Sequence, residues 1–413
     1  MRRAALVGAL LLIAYPVAWA ADPDPQEFSQ IEKGRYLAVA ADCVSCHTVP
    51  GGTGIPFSGG RVIETPFGGI VAPNITPDRE TGIGAWSDAE FDAALRKGVA
   101  RDGSPLYPAM PYNAYTKMSR EDVQAIRAYL ATVTPVKKSV TTKSLPFPYN
   151  LRSAMHVWNA LYFCEGEYKP DPKESAEWNR GAFLVDGPGH CGACHTPKTF
   201  LGGDKRSHYL QGSDIQGWFA PNITNDSRLG LGNWSVADLV AYLKTGHNRI
   251  TAATGPMAEA VSLSSSHMTD EDLRAMASYL KTLSGGEGGA PQSLPADSPV
   301  MQAGAAIYRD QCSACHGLDG HGIPQLFPSV ADSSMARSND PTTSIRIVLR
   351  GARSVGTAAE PTAPGMPSYG WQLSDEQVAA VLTYIRNTWG GAASAVSPDA
   401  VTKAREELAS RSD

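Results

Sequence analysis

Three times in this chain a pair of cysteines three positions apart is followed directly by a histidine: Cys43, Cys46 and His47; Cys191, Cys194 and His195; Cys312, Cys315 and His316. No other feature constrains the fold as much, because each triplet sets two thiols and an imidazole around one helical turn. This is the attachment pattern of c-type haem: the thiols form thioether bonds to the vinyl groups of one porphyrin, and the histidine binds its iron. Three covalently bound haem c groups are expected. A zinc site would draw two Cys-x-x-Cys pairs together into four ligands, yet here each pair has its own histidine and the three lie far apart. Thioredoxin-like redox motifs would each need a strand pattern before them, and none is evident. The seventh cysteine, Cys164, follows the apolar stretch Val157 to Phe163 and reads as a buried structural thiol.

Arg2 and Arg3 precede an apolar run from Ala4 to Val17, and Ala18-Trp19-Ala20 has the form of a signal-peptidase site. Residues 1–20 therefore read as a signal peptide, placing a mature chain that starts at Ala21 in the periplasm. The run is short for a membrane anchor, and the best later stretch, Ala154 to Phe163, contains His156 and Asn159. Any membrane contact is expected to be peripheral. The formal charge of −5 argues against a nucleic-acid partner.

The first two haem segments are copies. Ala72-Pro73-Asn74-Ile75-Thr76 recurs as Ala220-Pro221-Asn222-Ile223-Thr224, and across residues 72–98 the sequence matches that 148 positions later at 14 of 27 places. The third segment keeps only the order of elements. Before each motif a helix carries a glycine with an aliphatic residue three places on: Gly34 and Leu37, Gly181 and Leu184, Gly304 and Ile307. After it a second helix ends at Gly98, Gly246 or Gly351, each suited to a left-handed C′ position.

Closing helices start at the N-cap pairs Ser119 with Asp122, Thr269 with Asp272 and Ser374 with Gln377. Each carries a tyrosine next to its last apolar residue: Tyr129, Tyr279 and Tyr384. The expectation is that the opening-helix glycine lets the closing helix cross closely, with an aromatic ring filling the angle. Domain one should span 21–144, a connector 145–174, domain two 175–283, a Gly/Pro linker 284–299, domain three 300–391 and a loose tail 392–413. The fold class expected is all-α, three tandem domains that resemble class I cytochrome c, each wrapped round a porphyrin that supplies much of its small core.

A second strong axial ligand favours electron transfer over oxygen binding. Met110, Met257 and Met366 lie between the second and closing helices, in the Pro- and Gly-stiffened settings Pro108-Ala109-Met110-Pro111, Gly255-Pro256-Met257 and Pro364-Gly365-Met366-Pro367. Met118 and Met268 precede N-caps, where the third unit has Leu373, so that position is structural. His267 is the rival to Met257. His190, His208, His247 and His321 read as surface or propionate-neighbourhood residues. No substrate site, dinucleotide fingerprint or nucleophile elbow accompanies these motifs, so no catalytic residue is assigned and the chain is not an enzyme by itself.

Over nearly the whole mature chain, Asp42-Cys43-Val44-Ser45-Cys46-His47-Thr48, Tyr107-Pro108-Ala109-Met110-Pro111-Tyr112, Trp178-Asn179-Arg180-Gly181, Gly189-His190-Cys191-Gly192-Ala193-Cys194-His195-Thr196-Pro197 and Leu243-Lys244-Thr245-Gly246 resemble the tri-haem cytochrome c subunits of bacterial membrane-bound dehydrogenases. That resemblance implies a catalytic partner subunit of flavin, pyrroloquinoline quinone or molybdenum type, oxidising an alcohol, sugar, sugar acid or aldehyde. It also implies ubiquinone as electron acceptor and attachment to the outer face of the inner membrane through the complex. A freely diffusing periplasmic multihaem carrier and a haem peroxidase-type enzyme are the alternatives.

Overall fold

The computed structural model describes residues 25–52, 54–141, 145–286, 289 and 291–411. The expected signal peptide and the start at Ala21 lie outside them, as do residues 142–144 at the end of domain one, 287, 288 and 290 in the linker, and 412–413. The first unit comprises α1 (Pro25–Ala40), the hairpin β1 (Val62–Thr65) and β2 (Gly68–Val71), α2 (Asp88–Lys97) and α3 (Arg120–Thr132), followed by the connector helix α4 (Ala154–Tyr162). The second comprises α5 (Ala176–Asp186), β3 (Gln211–Ile215), β4 (Trp218–Asn222), α6 (Val236–Thr245), α7 (Gly255–Leu263) and α8 (Asp270–Leu280). The third comprises α9 (Pro299–Ile307), α10 (Thr342–Arg350), β5 (Ala352–Arg353), β6 (Gly365–Met366), α11 (Asp375–Arg386) and α12 (Pro398–Ala409). Single turns of helix at Cys43–Cys46, Gly192–His195 and Ser313–His316 carry the haem motifs.

In every unit the opening helix crosses the closing helix at its glycine. A Cβ at Gly34 would lie 1.8 Å from Ala125 O, at Gly181 1.9 Å from Ala275 O, and at Gly304 2.2 Å from Ala380 O. Backbone meets backbone, and only glycine fits. The tyrosines sit beside the crossing: Tyr129 packs edge-on to Phe57, Tyr279 to Trp178, and Tyr384 against Tyr308 and Trp389. Capping boxes start α2, α3, α6 and α11. On α8, Thr269 caps alone, because the Asp272 carboxylate is engaged elsewhere. Gly98 and Gly246 are left-handed C-caps. Gly351 differs, with φ 76° and ψ 179°. Here the chain turns out into β5, and a Cβ would meet Met366 O at 2.6 Å.

The helical expectation stands, with three two-stranded antiparallel hairpins added. The first two lead into the repeated Ala-Pro-Asn-Ile-Thr segment; the third pairs Ala352 with Met366 and Arg353 with Gly365. Two other expectations are corrected. Cys164 is exposed, its sulfur 3.2 Å from Arg206 Nη2, because it lies past the end of α4 and outside the cores. The tail is not loose: α12 buries Val401 and Leu408 against the third core, and Arg405 bonds Asp375 and Gly370 O. No helix among the described residues is long and apolar enough to cross a membrane.

The first two units share their core. Ala40 and Tyr36 of α1 pack into the second cluster, and Phe183 of α5 packs into both. At this seam Tyr36 Oη donates to Asp272 Oδ2 (2.5 Å), while Arg180 donates to Oδ1 and Oδ2 at 2.8 and 2.7 Å. Burial alone would raise the Asp272 carboxyl, but the bonds from Arg180 and Tyr36, with the guanidinium charge, hold it below the usual range. A depressed carboxylate contributes stability above its unfolded value of roughly 3.9 and loses it as the pH falls through the lower folded value. Asp272→Asn is expected to destabilise the chain by roughly 1–3 kcal/mol and to flatten the part of its acid-unfolding curve below about pH 4. Thermal melts from pH 7 to pH 2 measure both; an unchanged acid limb would remove Asp272 from the linkage.

Candidate haem sites

The three motif histidines share one environment. Nδ1 of His47 lies 2.8 Å from Pro73 O, that of His195 2.7 Å from Pro221 O, and that of His316 2.9 Å from Pro328 O. A carbonyl can only accept, so each Nδ1 carries the proton and each Nε2 presents its lone pair. Among the described residues none of the three Nε2 atoms has a hydrogen-bond partner. Burial lowers all three imidazole pKa values, and the proline bonds offset part of that shift. A neutral imidazole oriented through Nδ1 to a carbonyl is the arrangement of a metal-binding histidine.

All six motif thiols are free, with no disulfide formed. Burial pushes Cys43 and Cys191 up to about 12 and Cys194 and Cys312 up to about 11, and it raises Cys46 as well. A thiol held up in this way stays protonated and is not an activated thiolate. These are apolar thiols on the edge of a core, and no group of three or more His, Cys, Asp or Glu able to hold a metal ion occurs among the described residues. Free thiol pairs, an open Nε2 and a small apolar wall fit a porphyrin joined at its edge and ligated at its centre.

The three candidate methionines lie in three different local forms. Met110 lies in the turn before Tyr112–Tyr115 and packs on the cluster that includes Cys43 and Val44. Met366 is on β6, in the cluster that includes Cys312. Met257 was expected in a loop but occupies the first turn of α7, with Pro256 beside it; proline is tolerated there because its missing N–H has no helical partner anyway. It packs with Ala253, Val261, Val355 and Tyr242, and Tyr242 also borders the Cys191 cluster. His267 Nε2 lies 3.0 Å from Ser262 O, committed as a donor. Met118, Met268 and Leu373 are buried in their respective cores.

Each of three separate stretches, residues 31–134, 179–284 and 301–389, matches the family model for cytochrome c. The chain belongs to the cytochrome c family. Similar curated proteins are named as cytochrome subunits. The gluconate 2-dehydrogenase cytochrome c subunit of Pantoea cypripedii is 41% identical over 94% of this chain and 92% of its own length. The fructose dehydrogenase cytochrome subunit of Gluconobacter japonicus is 38% identical over 91% and 82%. The cytochrome c subunit of alcohol dehydrogenase (quinone) from Gluconacetobacter polyoxogenes is 36% identical over 94% and 86%.

In this member of the cytochrome c family the second unit lies between the other two. Burial raises the Cys194 thiol, Lys198 offsets part of that, and the nearby Cys46 and Asp42 of the first unit add to the rise. Arg61 donates to Ser45 O (2.6 Å) and pairs with Glu259, two residues beyond Met257. On the other side Ser329 N donates to Ile250 O and Val355 N to Ala253 O. Two histidines read as surface or propionate-neighbourhood residues have contacts that sequence reasoning missed. His190, so read, packs edge-on to Tyr115 of the first unit at 5.7 Å. His247, read the same way, is buried, with Nδ1 3.1 Å from Thr245 O and Nε2 unpartnered. Their partners are distant or backbone groups that spacing does not reveal.

Proposed function

We propose that each of the three cytochrome c units holds one covalent haem, attached through Cys43 and Cys46, Cys191 and Cys194, and Cys312 and Cys315. The axial pairs are His47 with Met110, His195 with Met257, and His316 with Met366. The domain limits are those expected from the sequence, with α12 joined to the third domain. The chain is an electron-transfer subunit that receives electrons from a partner dehydrogenase subunit and delivers them to ubiquinone on the periplasmic face of the inner membrane. The names of its relatives support that role.

The observation that carries the reading is the threefold His Nδ1 to proline carbonyl bond. Haem supplies the one-electron step between ferric and ferrous iron. The chain's own residues do the rest: proline carbonyls fix the imidazoles, the methionines close the sixth position against oxygen and peroxide, and the crossings at Gly34, Gly181 and Gly304 hold the opening and closing helices together. The seams between units set the order first–second–third, with the second unit in the middle.

Intact-mass measurement with haem staining on the exported protein is expected to show three covalent haems. Copurification with a large dehydrogenase subunit separates this role from a freely diffusing carrier. Any other haem number, or five-coordinate iron in the resting protein, would overturn the proposal.

A further inference from the structure

The connector helix α4 carries no aspartate, glutamate, lysine or arginine; its sequence is Ala-Met-His-Val-Trp-Asn-Ala-Leu-Tyr. One face is spent inside the molecule. Trp158 is buried, its ring against those of Tyr112 and Tyr162, and Asn159 Oδ1 accepts from Tyr112 Oη at 2.7 Å. Val157 and Leu161, four residues apart, share the other face, and both are exposed. A helix that is apolar on both faces is ordinarily covered on both.

A second exposed apolar group adjoins it. From Thr199 to Gly202 the chain makes a tight turn, closed by a bond from Gly202 N to Thr199 O (2.9 Å), with Phe200 and Leu201 at its two central positions. Such positions ordinarily hold glycine, proline or short polar residues; here Phe200 is 93% exposed, and Leu201 is exposed as well. The internal repeat shows that the fold does not require them, since 148 positions earlier the first unit has Gly52 and Thr53. Trp158 Nε1 donates to Leu201 O (3.1 Å) and Thr199 Oγ1 bonds to Tyr162 Oη (3.1 Å), which fastens the turn to α4. Through Phe67, which lies against Gly202 and has its ring 4.9 Å from that of Tyr149, the surface runs on toward Phe147, itself 78% exposed.

The charge of this surface selects what covers it. The chain has 41 acidic residues, yet none falls within 145–164 or 187–203, the two stretches that carry the exposed side chains. The carboxylates that follow these stretches are paired: Glu165 with Lys97 (3.0 Å), Glu167 with Arg96 (2.9 Å) and Asp204 with Lys198 (2.5 Å). Lys205 and Arg206 stand exposed just beyond the turn, and neither has a carboxylate partner among the described residues; Arg206 donates instead to Tyr162 O at the end of α4. The result is an apolar surface with a cationic rim.

We propose that this surface binds the anionic lipid face of the inner membrane directly, with Val157, Leu161, Phe200 and Leu201 entering the boundary between headgroups and acyl chains and Lys205 and Arg206 meeting lipid phosphates. Apolar side chains projecting from a helix face and a turn tip, inside an acid-free rim, suit a fluid anionic interface. A chain of net charge −5 needs such a local reversal of sign to approach one. The haem units are then held on the bilayer by a contact of their own, in addition to any made through a catalytic partner. The inference rests on the membrane-face reading above and goes beyond it by naming the surface.

The test uses the full-length haem-loaded chain without its partner, cosedimented with vesicles of equimolar phosphatidylcholine and phosphatidylglycerol or of phosphatidylcholine alone. Binding is expected on the anionic vesicles and should weaken as salt rises. Phe200→Gly with Leu201→Thr, which installs the turn residues of the first unit, should lower the partition coefficient about tenfold or more at unchanged haem content and melting temperature. Val157→Gln with Leu161→Gln should do the same. Anionic vesicles should also slow the reaction of a charged maleimide with Cys164, the exposed thiol just past α4. Undiminished vesicle binding by both double variants overturns this surface and leaves the membrane-face reading standing. No vesicle binding by the parent chain overturns the lipid assignment; if the same substitutions then release the catalytic subunit or dissociate a dimer, the occupant is that subunit or a second copy. A complex recovered wholly in the soluble periplasmic fraction overturns the membrane-face reading itself.

Discussion

Gly181→Val is expected to leave the second unit unable to close, so that the exported chain carries two haems instead of three. A Cβ at Gly181 would sit 1.9 Å from Ala275 O and 3.0 Å from Tyr279 Cβ. The first of these is a backbone atom, so no change of rotamer relieves the clash, and α5 and α8 must move apart. Overpacking a core ordinarily costs about 1–3 kcal/mol; a forced separation of two backbones exceeds that. Domain stability is only about 5–15 kcal/mol in total, and the crossing lies in the cluster that includes Cys191. Gly34→Val and Gly304→Val should do the same to the first and third units, since their crossings are as close. Gly181→Ala should show a graded loss. Intact mass and thermal melting read the result; a Gly181→Val chain with three haems and an unchanged melt would mean that the crossing does not hold the unit together.

These crossings were legible because they are local. A glycine with an aliphatic residue three places on, and a capped helix with a tyrosine at its end, are patterns that one helix imposes on its own sequence. Even the histidine partner left a trace: Pro73 and Pro221 each stand 26 residues after their histidines, inside the repeated Ala-Pro-Asn-Ile-Thr segment. What could not be read is long-range or weakly patterned. The bond from Tyr36 to Asp272 joins residues 236 apart, and no periodicity marks either. The hairpins have two to five residues per strand, too short to show an alternation. Cys164 was misplaced because apolar neighbours on α4 were taken to bury it, whereas Val157 and Leu161 on the same helix are themselves exposed. The tail failed for a related reason. Its short stripe of Ala400, Ala404 and Leu408 does pack on the third core, but Val401 and the bonds of Arg405, which complete the docking of α12, lie outside that pattern.

Replacing the methionines one at a time should change the iron's electronic state far more than the fold. Methionine to leucine conserves volume and usually costs less than about 1.5 kcal/mol, so Met110→Leu, Met257→Leu and Met366→Leu should each keep three covalent haems. Leucine cannot ligate, and axial ligation sets haem potentials across a range of about 0.8 V. Each variant should therefore lose one third of the thioether-to-iron absorption in the near infrared, gain a matching high-spin fraction, and show one midpoint potential lowered by about 0.1 V or more. Met257 is the discriminating case, because its packing partners include Val355 of the third unit, and a Cβ at Gly246 would strike the same side chain at 2.0 Å. The third unit thus holds α7 from behind, and a change at Met257 is transmitted to the seam as well as to the iron. His267→Ala serves as its control, since His267 Nε2 is bonded to Ser262 O and its removal should leave the spectrum intact. If His267→Ala shifts a potential and Met257→Leu shifts none, the second iron is ligated by histidine on both sides.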